Sequence, residues 1–304
     1  MNINEINQRI QDIEEEWKMG DTDYQDATYR AEEALKDFTS EDDKVIHFKD
    51  FKPDVGMAKH HIQTNIKELD NLTGGMGKGD LILISGDTGD GKSSFARFLI
   101  RKFSEQKKNS LVFSYEESNQ EFLEKFMGNL PDGYLPKVLT DNSTTWIEAK
   151  ILQAVNDFKV EIVFIDTMEG IVDYRSKLSE VGVVSSIIQR LKAIAIKYNV
   201  VMFLMCGINK SETGLIDKNS ITGSKIIVKT ASVGIALSRG KEKPRNKEQL
   251  ETEGVKFTNY TNFYLIKNRY KGKYDNFSML FHPETGLYTE KQLVDQEDIK
   301  IDFN

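Results

Sequence analysis

Gly86-Asp87-Thr88-Gly89-Asp90-Gly91-Lys92-Ser93 has the residue types and spacing of a phosphate cradle, G-x-x-x-x-G-K-[ST]. Its glycines let the backbone wrap so that successive N–H groups face phosphate oxygens, and a following helix adds the positive end of its dipole. Lys92 is expected to reach the β- and γ-phosphates of a nucleoside triphosphate. The Ser93 hydroxyl is the expected ligand for the Mg²⁺ that bridges them. The binding run is therefore Gly86, Asp87, Thr88, Gly89, Asp90, Gly91, Lys92, Ser93 and Ser94. A glycine-rich turn that matched by accident would lack the flanking elements. Here the apolar run Leu81-Ile82-Leu83-Ile84 leads in as a strand, and Ser94-Phe95-Ala96-Arg97-Phe98-Leu99-Ile100 leads out with helical apolar spacing.

Two other strand ends supply acids. Ile162-Val163-Phe164-Ile165-Asp166 is an apolar strand closing on a carboxylate, as a second metal-holding group requires, so Asp166 is assigned that role beside Ser93. Leu111-Val112-Phe113-Ser114-Tyr115-Glu116-Glu117 ends on two acids, one of which can orient and deprotonate an attacking water. Glu116 is chosen as that base. Strand side chains alternate faces, so only one acid of the pair points into the site, and Glu117 then starts the next helix as a first-turn acid. The alternative is that both acids only favour that helix.

The elements that must hold these groups follow from hydrophobic patterning. Strands are expected at about 80–86, 110–115, 160–166 and 200–206, alternating with helices at about 92–106, 119–128, 145–157 and 182–198, as in a parallel sheet covered by helices. Runs at about 232–238, 261–267 and 277–281 have no intervening helices and read as antiparallel strands extending that sheet. Arg239 to Thr258, dense in Lys and Glu, reads as an exposed loop or hairpin end. Before residue 50 the chain is acidic and polar, with Ile3, Ile6, Ile10, Ile13 and Trp17 on one helical face and a second helical stretch at about 24–38. That stripe needs a partner, either the main domain or a neighbouring subunit. The polar stretch 40–44 reads as a linker and favours the neighbour. The expected organisation is a helical arm and linker over 1–50 and an ATPase domain over 51–304.

With 304 residues and 39% hydrophobic content the chain suits one large α/β domain and a small appendage. One cysteine, Cys206, excludes internal disulfides and cysteine-based zinc clusters, and its apolar surroundings read as a buried thiol. No stretch reaches the length of a membrane span, and no basic-then-apolar leader opens the chain, so the expected location is the cytoplasm. A net charge of −7 argues against a broad nucleic-acid-coating surface but permits a narrow basic track.

His61 to Leu81, with Asn65-Ile66-Lys67-Glu68-Leu69-Asp70 and Leu72-Thr73-Gly74-Gly75-Met76-Gly77-Lys78-Gly79-Asp80-Leu81, resembles the entry to the RecA-like ATPase domain of DnaB-type replicative helicases. Phe113-Ser114-Tyr115-Glu116 resembles that family's F-S-L-E segment, whose Glu is the catalytic base. Leu265-Ile266-Lys267-Asn268-Arg269-Tyr270 resembles its K-x-R finger, so Lys267 and Arg269 are expected on one face of a strand, reaching a neighbouring subunit's γ-phosphate. Phe281-His282-Pro283-Glu284-Thr285-Gly286-Leu287-Tyr288 resembles the last strand and turn of bacteriophage helicase domains. Two positions depart from the pattern. Gly207 falls where the family carries a γ-phosphate-sensing Gln or His, and Lys229 falls where a channel-facing motif has Gln.

The resemblance implies an ATP- and Mg²⁺-dependent helicase or translocase of DNA replication, acting on single-stranded DNA as a homo-oligomer. The expected assembly is a hexameric ring, with a primase or loader as a candidate partner. It also implies a motor domain with a short arm, without the helical N-terminal domain of bacterial DnaB or a primase module. Residues 208–225 fall where RecA-like rings put channel loops, so Lys210, Lys218 and Lys225 are the candidate DNA contacts. No aromatic occurs there, and no base stacking is expected. Two other functions remain open: a RadA- or RecA-like recombination ATPase forming filaments, and a KaiC-like assembly switch that moves no nucleic acid.

Overall fold

The computed structural model describes residues 3–23, 26–27, 30, 49, 61–172, 180–207, 225–241 and 257–290. The chain divides into two units, Met1–Ala58 and Lys59–Asn304. The first contains α1 (Ile3–Met19), in which Ile13 is buried and Trp17 is 45% exposed. Arg30 pairs with Glu16 at 2.6 Å. The side chains of Ile3 and Ile6, and most of the helical stretch expected at 24–38, lie outside the described residues.

The second unit is built on an eight-stranded mixed sheet. Its strands are β3 (Leu81–Gly86), β4 (Ser110–Ser114), β5 (Ile162–Asp166), β6 (Val201–Cys206), β7 (Val233–Lys241), β8 (Phe257–Asn268), β9 (Asn276–His282) and β10 (Leu287–Glu290), in the order β10-β9-β8-β7-β3-β6-β5-β4. β7, β3, β6, β5 and β4 run parallel, and β8, β9 and β10 complete the sheet antiparallel. The run at 232–238, expected antiparallel, is thus a parallel strand, and a short helix over Lys225–Thr230, which its few residues did not announce, precedes it. β1 (His61–Ile62) and β2 (Met76–Gly77) form a small separate pair around α2 (Lys67–Thr73).

The apolar runs are buried on both faces, as a helix-covered parallel sheet requires. Alternation then divides them. Leu81, Leu83, Val163, Ile165, Met202 and Leu204 join one core with α5 (Thr144–Phe158), α6 (Glu180–Lys197) and α7 (Lys225–Thr230). Ile82, Ile84, Ile162, Phe164, Phe203 and Met205 join the other, against Phe95, Leu99 and Phe103 of α3 (Lys92–Glu105). Period 2 on the strands and 3.6 on the helices thus meet in two layers.

Two expectations about length change. The helix expected at 119–128 ends as α4 (Asn119–Glu124), with turns after it. The loop expected from Arg239 to Thr258 gives part of its length to strands, because Arg239 pairs with Thr261 and Lys241 with Phe257. The charged residues of this stretch did not mark a strand, yet the backbone pairing needs only an extended partner. No described helix is long and apolar enough to cross a membrane.

Candidate nucleotide site

β3 delivers the phosphate loop to the C-terminal edge of the parallel strands, where α/β folds bind ligands. Gly91 immediately precedes α3 with φ +94°, and a Cβ there would lie 2.9 Å from the Tyr288 hydroxyl, so a side chain would meet both backbone strain and a buried ring. The Phe95 N–H donates to the Gly91 carbonyl at 2.8 Å, so the helical pattern starts from the loop itself. Lys92 Nζ donates to the carbonyls of Gly86 (3.0 Å) and Asp87 (3.2 Å), which places its ammonium over the loop. Asp90 supports this shape, accepting from the Asp87 N–H at 2.9 Å and the Arg239 N–H at 3.1 Å.

Asp166 ends β5 on the same edge. The ladder from Ser85 to Cys206 and from Ile165 to Leu204 leaves only β6 between the two strand ends. Asp166 is 1% exposed, and neither carboxylate oxygen has a hydrogen-bond partner. Burial lifts its pKa to about 6; the nearby Ser93 hydroxyl lowers it without reaching hydrogen-bond geometry, Glu116 raises it, and Arg97 lowers it. An orphaned carboxylate beside a loop serine fits a hard cation that takes oxygen ligands and keeps waters. The described residues contain no cluster of three or more His, Cys, Asp or Glu side chains that would hold a metal alone. The fit is thus to Mg²⁺ carried on a nucleotide.

The same burial makes a prediction for the nucleotide-free, metal-free protein. The folded state holds the Asp166 proton more tightly than the unfolded chain, whose ordinary value is 3.8. The stabilising contribution is therefore fully present below about pH 4 and lost as pH rises through about 6. Asp166→Asn should stabilise the apoprotein above pH 6 by about 2–4 kcal/mol and flatten this part of the pH profile. Parallel denaturation midpoints at pH 4.5 and 7.5 for both proteins would contradict it.

Glu116 and Glu117 both lie past the end of β4 and meet different surroundings. Glu116 is exposed beyond β4, and its N–H approaches the Asp166 carbonyl at 3.3 Å, with Tyr115 N–H donating to the same oxygen at 2.6 Å. Glu117 turns inward to Arg97 of α3 at 2.6 Å, both side chains about one-tenth exposed, and also pairs with Lys125. The N-cap of α4 is Ser118, in a capping box with Glu121, so Glu117 lies before the helix as an ion-pair residue and is not the first-turn acid that the sequence suggested. Arg97 carries a signal of its own: a cation amid Phe95, Ala96, Phe98 and Leu99 needs a buried partner. Arg97→Ala strands the Glu117 carboxylate and should cost about 3 kcal/mol of stability, read as a lowered urea midpoint. An unchanged midpoint would show that Lys125 alone suffices.

Gly207 follows β6 on this edge, and its N–H donates to Glu169 Oε1 at 2.8 Å, while Glu169 Oε2 is buried without a partner. Glu169 lies in a 3-10 turn, Met168–Ile171, just after Asp166. A carboxylate from that turn therefore meets the backbone where the family pattern has a sensing side chain. Sequence reading missed it because nothing local pairs residue 169 with residue 207.

Lys267 and Arg269 are not brought to this edge. Val233 pairs with Ile82 on one side and Asn268 on the other, whereas Gly86 pairs with Leu237. The end of β8 is thus at the opposite sheet edge from the phosphate loop, four residues or roughly 13 Å along the strands. Lys267 Nζ donates to the carbonyls of Val228 (2.8 Å) and Lys229 (2.5 Å) at the C-terminus of α7, a favourable place for a cation. Arg269 is exposed in the turn after β8, so the two residues do not share one strand face as expected. Lys210 and Lys218 lie outside the described residues, as does the side chain of Lys225, whose backbone begins α7.

Residues 61–132 match the family model of the DnaB-like helicase C-terminal domain. That span holds the entry motif, the phosphate loop and Glu116. The fold is similar to a solved ATPase domain, with a TM-score of 0.64 and 17% identity over 76% of this chain and 92% of that one. It is also similar to a DnaB-like replicative helicase described with its interactions with primase, with a TM-score of 0.65 and 16% identity over 95% of this chain and 75% of that one. These likenesses establish a RecA-like fold. No curated protein sequence matches the chain.

Proposed function

We propose that this chain, a RecA-like domain whose residues 61–132 match the DnaB-like helicase C-terminal domain, is an ATP-driven motor of DNA replication that moves on single-stranded DNA as a ring. The observation that carries this reading is the polarity of the sheet. One edge holds the phosphate loop, Asp166 and Glu116, and the other presents exposed Arg269. A nucleotide in the loop is out of reach of its own chain's Arg269 but open to that of a neighbour stacked edge to edge.

In this reading the loop N–H groups and Lys92 hold the β- and γ-phosphates, and Ser93 with Asp166 holds Mg²⁺. When bound, the ion neutralises phosphate charge. Glu116 orients the attacking water and takes its proton. Arg269 of the adjacent subunit stabilises charge on the transferred phosphoryl, which makes hydrolysis depend on assembly. Lys267 keeps the end of α7 in place beside it, and Lys210, Lys218 and Lys225 contact phosphates of the DNA strand. Gly207 supplies no sensing side chain, and the Glu169 carboxylate takes that place on the backbone.

Electron microscopy with a non-hydrolysable ATP analogue and an oligonucleotide tests the reading. A closed or lock-washer ring is expected. A long filament on the DNA would make the protein a recombination ATPase, and DNA-independent assemblies would make it a switch.

A further inference from the structure

The turn that carries Arg269 is fixed by one buried carboxylate. Asp80, at the entrance to β3, is 3% exposed. Its Oδ1 accepts from the Ser232 hydroxyl at 2.5 Å and from Lys192 Nζ at 2.8 Å, and its Oδ2 accepts from the Tyr270 hydroxyl at 2.8 Å. Two of these donors bracket Arg269. The carbonyl of Ser232 accepts the Arg269 N–H at 2.9 Å, and Tyr270 is the next residue in the chain. Tyr270 Oη also accepts the Gly77 N–H at 3.0 Å, and its ring lies 4.5 Å from that of His61. Asn268 closes the other side of the turn, donating to the carbonyls of Leu72 (3.0 Å) and Lys273 (2.9 Å). Burial alone would raise the Asp80 pKa, but Lys192, Ser232 and Tyr270 hold it below the ordinary range, so the hub is an anion.

The hub sits at the start of the strand whose far end is the phosphate loop. β3 is therefore a strut with the nucleotide at one edge and the Arg269 turn at the other, each in register through β7. A polar group as buried as Asp80, with its donors on three separate segments, is a means of fixing their relative placement.

We infer that Asp80 is the positioning residue of the finger: through Ser232 and Tyr270 it holds the Arg269 turn at the height from which the guanidinium reaches the γ-phosphate on the adjacent subunit. The inference rests on the reading of Arg269 as a finger supplied in trans. Misplacement by about 1 Å costs catalysis about 100-fold, so loosening this turn should depress turnover without touching the nucleotide site of the same chain.

The test uses Tyr270→Phe, which removes one hydroxyl, alongside Asp80→Asn. Each should lower ATP turnover of the assembled protein by about 10- to 100-fold while nucleotide affinity stays as in the parent. Mixing then assigns the defect to a side of the interface. Mixed with Glu116→Gln subunits, Tyr270→Phe should recover activity, because one class of interface takes Glu116 from the Tyr270→Phe parent and a well-placed Arg269 from the Glu116→Gln parent. Mixed with Arg269→Ala it should not, since both parents then lack a working finger. If Arg269→Ala and Glu116→Gln themselves fail to complement although mixed oligomers form, the trans reading falls and this inference with it. If they complement, but Tyr270→Phe recovers with Arg269→Ala and not with Glu116→Gln, the hub serves its own chain's site and the inference alone is overturned. Full turnover in Tyr270→Phe overturns it as well. Should Asp80→Asn fail to fold, the tyrosine variant decides.

Discussion

Lys92→Ala is expected to abolish ATP hydrolysis and to weaken nucleotide binding. Among the described residues Lys92 is the cation placed on the phosphate loop itself, with its ammonium against the carbonyls of Gly86 and Asp87. Removing a preorganised charge that faces developing negative charge costs about 10²–10³-fold in turnover, and here the same charge also neutralises the bound phosphates. Because Lys92 is the first residue of α3 and alanine suits a helix, the fold should persist. Steady-state ATPase assays with a fluorescent-nucleotide titration check both halves. Near-parental turnover would mean that this loop is not the hydrolytic site.

Arg269→Ala has the other large expected effect. A finger that meets the γ-phosphate from a neighbouring subunit is worth about 10³-fold or more in turnover. The variant should bind nucleotide as the parent does, since the sheet separates residue 269 from its own chain's loop, and should fail only in the assembled enzyme. Lys267→Ala should behave differently. Its ammonium holds the carbonyls at the end of α7, so its loss should loosen that helix and show in stability as well as in turnover. An Arg269→Ala enzyme that hydrolyses ATP normally in the oligomer would remove the interface from the mechanism.

How far the sequence reaches depends on the distance over which each feature is determined. Strands β3, β5 and β6 are apolar on both faces, so their patterns need no knowledge of partners, and the phosphate loop is a local motif set between a strand and a helix. Asp166 follows from the same local logic. The antiparallel end of the sheet was legible only in part: the runs at 261–267 and 277–281 are the antiparallel β8 and β9, but the run at 232–238 is β7, parallel to β3, because α7 precedes it. What stayed hidden is long-range. Glu117 looked like a first-turn acid of the next helix until Arg97, twenty residues back, took it; Lys267 looked like half of a paired finger until the carbonyls of α7 took its ammonium. Asp80 draws its donors from residues 192, 232 and 270, and no spacing rule connects those positions. Polar hubs of this kind are chosen by topology, so a sequence shows only that a charged residue opens a buried strand.

The central claim is that ATP hydrolysis by this fold drives movement along DNA, and strand separation measures that most directly. A forked duplex with single-stranded arms, labelled to report displacement, is incubated with the full chain, ATP and Mg²⁺. The account predicts ATP-dependent strand release that Lys92→Ala and Arg269→Ala both abolish, with ATP turnover rising when single-stranded DNA is added. Robust ATP turnover that neither separates the strands nor responds to single-stranded DNA would contradict it.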